Sequence, residues 1–286
     1  MPSNRFLRAV LIGAAMMLAA LLALFAWRAM SGDPEPVRFD PAEFVAPRPK
    51  LDAPYVATDY EVVDAMLAMA EVRPNDFVVD LGSGDGRILI AAARSHGAHG
   101  LGVDIDPARI REARANARAA GVSHRVDFRR QDLFETPLDD ADVVTLYLTE
   151  EVNRRLRPRI LSQMRPGTRV VSHDFGMGEW RPEARQRIGT AILHLWIVPA
   201  RVEGRWRLSI DGREHALQLD QRFQQVEGVI AGHGRSARVE QGRLRGRRIR
   251  FIADVGEGLR EFEGRVTEGR IEPVASDAGW LAVRAG

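Results

Sequence analysis

Apolar and polar positions divide the chain into four stretches. From Ala9 to Trp27 (AVLIGAAMMLAALLALFAW) nineteen residues carry no charge, with Arg5 and Arg8 before them and Arg28 after. As a helix rising about 1.5 Å per residue, this run spans roughly 28 Å, close to a bilayer's hydrocarbon core. Nothing polar breaks it, so it has no amphipathic face for a soluble core. The expectation is a transmembrane anchor over 1–30. A cleaved signal peptide is the rival reading, but its apolar region is usually shorter, about 7–15 residues, and ends at a small-x-small site. Here Leu24 precedes Ala26 and Trp27 precedes Ala29, so neither alanine completes one. Ser31 to Pro54 then hold six of the 15 prolines, which forbids a regular helix and predicts an extended linker over 31–53.

From Thr58 the pattern alternates between helix and strand, predicting an α/β domain over 54–200. Thr58 or Asp59 is placed to cap a helix over 60–70 with Val62, Val63, Met66, Leu67 and Met69 as its apolar stripe. FVVDLGSGDGRILIAAAR (Phe77–Arg94) reads as strand, glycine loop and helix. A second strand ends at Asp104, 24 residues after Asp80, and Asp106-Pro107 opens a helix that Gly121 closes. Further strands are expected over 126–129 and 142–148, giving a parallel sheet with ligands at its carboxyl edge. After about Arg201 the pattern turns to period two. WRLSI, HALQL, FQQVEGVI, SARVE, RIRFIADV, LREFEGRV, RIEPV and WLAVRA alternate with hairpin signals at Asp211-Gly212, Gly232 to Gly234, Gln241-Gly242, Glu257-Gly258 and Glu268-Gly269. Eight strands in some 85 residues predict a small antiparallel β domain, a barrel or a sandwich, over 201–286.

The glycine loop is the strongest chemical signal. Strand, loop and helix bring backbone N–H groups and a helix N-terminus against a ligand, and glycine is required where a side chain would block that approach. Asp80, Asp104 and Asp132 fall at the same sheet edge. A dinucleotide fingerprint needs a third glycine where Arg87 stands, so the loop departs from G-x-G-x-x-G. The pattern Asp80-x-Gly82-x-Gly84-x-Gly86 instead resembles the loop of class I S-adenosylmethionine-dependent methyltransferases, whose fold is a Rossmann-like seven-stranded sheet. That resemblance implies a loop (Asp80, Gly82, Ser83, Gly84, Gly86) cradling the methionine part, Asp104 on the ribose and Asp132 facing the adenine. PYVATDYEVVDAML, VVTLYL, NRRLRP and TRVVSHDFGMGEW narrow it. They resemble bacterial relatives of the mitochondrial protein-lysine methyltransferases of the ATP synthase c-subunit and adenine nucleotide translocase type. The resemblance runs from about Pro54 to Trp180 and departs at Ala57 and Asp59, where the family carries prolines. It implies a protein lysine as substrate and brings Tyr55 and Thr58 to the cofactor entrance. A small-molecule methyltransferase, or a non-enzymatic binding module on a methyltransferase scaffold, are the alternatives.

In-line methyl transfer needs a nucleophile held close and unprotonated. Tyr147, Thr149 and Glu150, at the end of the fourth strand, are expected beside the transferable methyl, with Tyr147 accepting an amine hydrogen bond, lining a channel, or simply filling the core. Ser172, His173 and Asp174 are expected to follow the fifth strand. His173 and Asp174 either relay a proton or anchor the loop, and Tyr147 and Asp174 are the catalytic candidates.

Composition removes other chemistries. There is no cysteine, hence no thiol nucleophile and no zinc–thiolate site. His96 and His99 lack local partners for a metal, so none is expected. With 41 basic against 39 acidic residues the net charge is +2, and no nucleic-acid partner is called for. Lys50 is the only lysine, so the basic residues are otherwise arginine. Seven arginines lie between Arg235 and Arg250, either a patch for anionic lipid headgroups or outward-facing strand positions. Basic flanks lean only slightly toward an N-in anchor, which would put the catalytic domain outside the cytoplasm. Because S-adenosylmethionine is a cytosolic metabolite, the expected location is the inner (cytoplasmic) membrane, single-pass, with the catalytic domain on the cytosolic face.

Overall fold

A computed structural model describes residues 55–285 other than Glu257. The expected anchor and linker lie outside the described residues, and among those described no helix is long and apolar enough to cross a membrane.

The chain opens with α1 (Tyr60–Met69), which buries Val62, Val63, Met66 and Leu67. Asp59 occupies its N-cap, but the side chain makes no capping bond. The Asp59 backbone carbonyl accepts the first intrahelical N–H, from Val63, at 2.9 Å. Two β/α units follow, β1 (Phe77–Leu81) with α2 (Arg87–His96) and β2 (His99–Asp104) with α3 (Pro107–Ala119), and then β3 (Val126–Arg130), which has no helix after it. Next come β4 (Val143–Leu146), α4 (Glu150–Gln163), β5 (Arg169–His173) and the hairpin β6 (Ala184–Ile188) and β7 (Ala191–Ile197). The sheet order is β3-β2-β1-β4-β5-β7-β6, with β7 antiparallel to both neighbours. Central strands such as FVVDL are apolar at nearly every position because the sheet is covered on both faces. On one face α1, α2 and α3 pack over Val78, Phe128, Val143 and Val171. On the other, α4 and Trp180 pack over Val79, Leu81, Val144 and Trp196.

The tail is a closed antiparallel barrel of eight strands: β8 (Gly204–Ile210), β9 (Arg213–Arg222), β10 (Gln225–Gly232), β11 (Arg235–Arg245), β12 (Arg248–Asp254), β13 (Leu259–Thr267), β14 (Arg270–Pro273) and β15 (Trp280–Arg284). Alternate residues point inward, where Phe251 stacks on Phe262 with centroids 4.8 Å apart and Trp280 meets both edge-on at 6.4 and 5.4 Å. Closure leaves no edge for pairing with another chain. One expected hairpin is corrected: Gln241-Gly242 is a bulge inside β11, where the register shifts against both β10 and β12. The turn there is Gly246-Arg247. The barrel joins the sheet through Ala200 N–H to the Gly246 carbonyl (2.8 Å), Gln224 Nε2 to the Arg181 carbonyl (2.7 Å) and an Arg243–Glu183 ion pair (2.6 Å).

Candidate active site

The β1 strand delivers Asp80 to its carboxyl end, and the chain then turns through Gly82, Gly84 and Gly86 at φ +83°, +52° and +82°. These left-handed conformations strain any residue with a Cβ. The loop is pinned to β2, since Gly82 and Ser83 N–H both reach the Val103 carbonyl at 2.9 Å. Gly84 N–H donates to one oxygen of Asp104 (3.0 Å) and Asp106 N–H to the other (2.9 Å). Burial pushes Asp104 above the ordinary carboxylate range, and those two N–H bonds oppose it. Asp132 follows β3 and accepts the Phe134 N–H at 2.8 Å.

Asp80, Gly82, Ser83, Gly84, Asp104, Asp132, Tyr55 and Thr58 line one cleft, with Tyr147 at its far end. Gly86 does not reach the wall. A Cβ there would lie 2.6 Å from Phe128 Cζ, so this glycine lets α2 sit on the sheet. Tyr55 lies over Gly84, with the Arg109 guanidinium 4.4 Å from its ring, and forms the cleft's outer side. Asp80 is 2% exposed. Thr145 Oγ1 donates to its Oδ1 at 2.6 Å, and its Oδ2 is buried without a partner, as is Ser83 Oγ. Burial raises Asp80 to about pH 7, helped by Asp104 and Asp85 and opposed by Thr145. An open glycine cradle, two orphaned polar atoms and a carboxylate at the end of β2 suit a ligand with a cationic group and vicinal hydroxyls. Gly86 apart, the residues expected to hold S-adenosylmethionine therefore fit it, and when bound it supplies an activated methyl on a sulfonium.

The acceptor end is built by β4 and β5. Tyr147 stacks on His173 with centroids 3.8 Å apart and faces Phe175 at 6.4 Å. His173 has Thr58 Oγ1 at 3.3 Å from Nδ1 and Asp174 Oδ2 at 3.5 Å from Nε2. Thr58 thus lines the cleft but spends its hydroxyl on the acceptor side. Ser172 and His173 belong to β5 itself and do not follow it. Burial raises the Tyr147 phenol, as do Asp174 and Asp59, so it stays protonated at neutral pH. Burial lowers His173 against the pull of the same two carboxylates. Asp174 sits at φ +61°, held there by its N–H to the Ile192 carbonyl (2.7 Å) and by Ile192 N–H to its Oδ1 (2.8 Å). Thr149 and Glu150 do not line the cleft, because Thr149 caps α4 by accepting the Val152 N–H at 3.3 Å.

Three functional residues escaped the sequence reading. Arg87 appeared only as a missing glycine. Its guanidinium clamps Asp85 at 2.6 Å and donates to the Thr58 carbonyl at 2.7 Å, stapling the Tyr55–Asp59 segment to the loop. Asn153, fully buried on α4, donates to the Phe175 and Gly176 carbonyls (3.0 and 3.3 Å) and shapes the loop after β5. Asp59 is close enough for its charge to raise both Tyr147 and His173, as a second carboxylate on this side. Among the described residues no group of three His, Asp or Glu is arranged to hold a metal.

Fold and site together define a class I S-adenosylmethionine-dependent methyltransferase. The family model for the ANTKMT methyltransferase domain matches residues 80–184. A protein-lysine N-methyltransferase of Saccharolobus islandicus (strain REY15A) is 44% identical over 131 residues, covering 46% of this chain and 81% of the relative. The adenine nucleotide translocase lysine N-methyltransferase of Mus musculus is 35% identical over 141 residues, 49% of this chain and 61% of the relative. A solved structure titled as an RNA methyltransferase from Salinibacter ruber, in complex with S-adenosyl-L-homocysteine, shares 50% identity with a TM-score of 0.51 over 51% of this chain and 96% of that one. The chain belongs to this family of ANTKMT-type methyltransferases.

Proposed function

We propose that the protein transfers a methyl group from S-adenosylmethionine to the ε-amine of a lysine in a protein. The observation that carries this reading is the acceptor end, where Asp59 and Asp174 face a hydrogen-bonding phenol and a stacked, uncharged imidazole. Two carboxylates draw a lysine ammonium toward the site and oppose the phosphates of a nucleic acid, which weighs against an RNA acceptor. Next to the aromatic wall of Tyr147 and Phe175 the ammonium loses solvation, which lowers its pKa toward the unprotonated form. Tyr147 orients the amine through its oxygen. Asp174, locked by Ile192, holds the departing proton at Oδ2, with His173 behind it. The protein-lysine methyltransferases among the relatives support the same acceptor. The reading extends to an inner-membrane anchor at 1–30 with the catalytic domain on the cytosolic face.

The test is tritiated methyl transfer by the full chain into soluble and membrane fractions of a strain lacking it. Label in a band that protease removes and ribonuclease leaves supports the proposal. Label that ribonuclease removes, or label only in small molecules, overturns it.

A further inference from the structure

The methyl-transfer site does not use the arginines of the barrel. Their placement is not that of scattered surface charges. Strand register sets Arg245 of β11 opposite Arg248 of β12, and Arg248 opposite Arg265 of β13. Three guanidinium groups therefore stand in one cross-strand row on the outward face. Like charges directly opposite one another in a sheet are destabilising, so such a row needs compensation. Within the protein it is meagre. Arg248 approaches Glu263 only at 3.7 Å, although Arg250 is paired with Glu261. Glu272 is in register with Arg265, yet no ion pair within 4.0 Å forms there, and Arg245 and Arg247 have no acidic partner among the described residues.

The row borders a cleft of about 450 Å³ between the barrel and the amino edge of the sheet, the end away from the methyl-transfer site. The far wall adds Arg73 and Arg169, which are satisfied by Glu71 and Asp76. Met69, Pro166 and Ile197 form its apolar floor. Cationic rim over apolar floor matches a phosphate headgroup joined to a glycerol and its acyl chains. Single-stranded nucleic acid would call for stacking platforms. The aromatic residues of these strands, Phe251 and Phe262, both point into the barrel core.

We propose that this arginine row and cleft dock the protein on a bilayer surface rich in anionic phospholipid. With the barrel's cationic end on the lipid, the acceptor mouth at the opposite sheet edge faces away from it. This surface is independent of the acceptor assigned above.

The experiment measures how many-fold more tightly the full chain partitions onto vesicles of phosphatidylcholine mixed with phosphatidylglycerol than onto phosphatidylcholine alone, a ratio in which an apolar anchor at 1–30, inserting equally in both, cancels. Because each interfacial arginine is worth about fivefold, the triple variant R245Q/R247Q/R265Q is expected to lose on the order of a hundredfold in binding to the mixed vesicles. Its uptake by pure phosphatidylcholine should be unchanged, and salt should erase the wild-type preference. Methyl transfer to a soluble acceptor stays intact in the variant, which reports that it has folded. The control R205Q/R207Q, on the other side of the barrel, keeps the preference. Equal wild-type partition onto both vesicle types overturns the proposal whether or not the variant folds. So does an undiminished preference in the variant, or tighter binding to a single-stranded RNA oligonucleotide than to the mixed vesicles.

Discussion

Replacing Asp80 with Asn should stabilise the free protein and weaken its hold on the cofactor. The carboxyl is 2% exposed, has one hydrogen-bond donor in Thr145, and is raised from its ordinary 3.8 to about 7 chiefly by burial. Between those values the folded chain keeps a proton that the unfolded chain has released. The contribution of Asp80 to stability is therefore greatest below pH 4 and falls as the pH rises toward 7. A rise of some three pH units at about 1.4 kcal/mol each gives a penalty of about 4 kcal/mol at pH 8. Asn keeps the Thr145 bond and escapes the charge. Urea unfolding should show Asp80→Asn more stable than the wild type by up to about 4 kcal/mol at pH 8 and unchanged at pH 4. Cofactor affinity should move the other way, falling roughly 10- to 100-fold as a charge-assisted bond becomes a neutral one. Near pH 7 wild-type binding should release a proton, visible as an enthalpy that depends on the buffer's ionisation heat, and the variant should not. If Asn destabilises equally at both pH values, or binds the cofactor as well as Asp, the reasoning fails.

Gly84→Ala puts a Cβ into the Tyr55 ring at φ +52° and should abolish cofactor binding while costing about 1–3 kcal/mol, both read by calorimetry. Asp174→Asn should leave cofactor affinity unchanged and lower kcat by about 10²-fold or more in single-turnover methyl transfer. Arg87→Met frees the Thr58 carbonyl and should raise KM for the cofactor far more than it lowers kcat. Phe262→Ala, in the barrel core, should cost about 3–5 kcal/mol in denaturant unfolding.

Much of this molecule was legible because local chemistry and tertiary role coincide. A β-branched run, an acid, spaced glycines and an apolar helix can form only one compact unit, and all three sheet-edge aspartates reached one cleft. The eight barrel strands announced themselves by alternation, since each buries one face. What failed was whatever a partner segment decides. Gln241-Gly242 has the composition of a turn, but Gly242 is there because a Cβ would strike the Val226 carbonyl across the ladder. The β6 strand, ARQRI, is exposed at four of five positions and left no apolar trace. Arg87 reads as a broken fingerprint until the Thr58 carbonyl 29 residues away is seen to need it. Thr149 has the chemistry of an active-site hydroxyl and the position of a helix cap, and position won.

Titration calorimetry of the full chain with S-adenosylmethionine tests the central assignment most directly. One equivalent of cofactor should bind the wild type, and Asp104→Ala, which removes the carboxylate receiving the Gly84 and Asp106 N–H groups, should bind none at the same concentrations. No heat from the wild type, or an undiminished isotherm from the variant, would contradict a cofactor site at the carboxyl edge of β1 and β2.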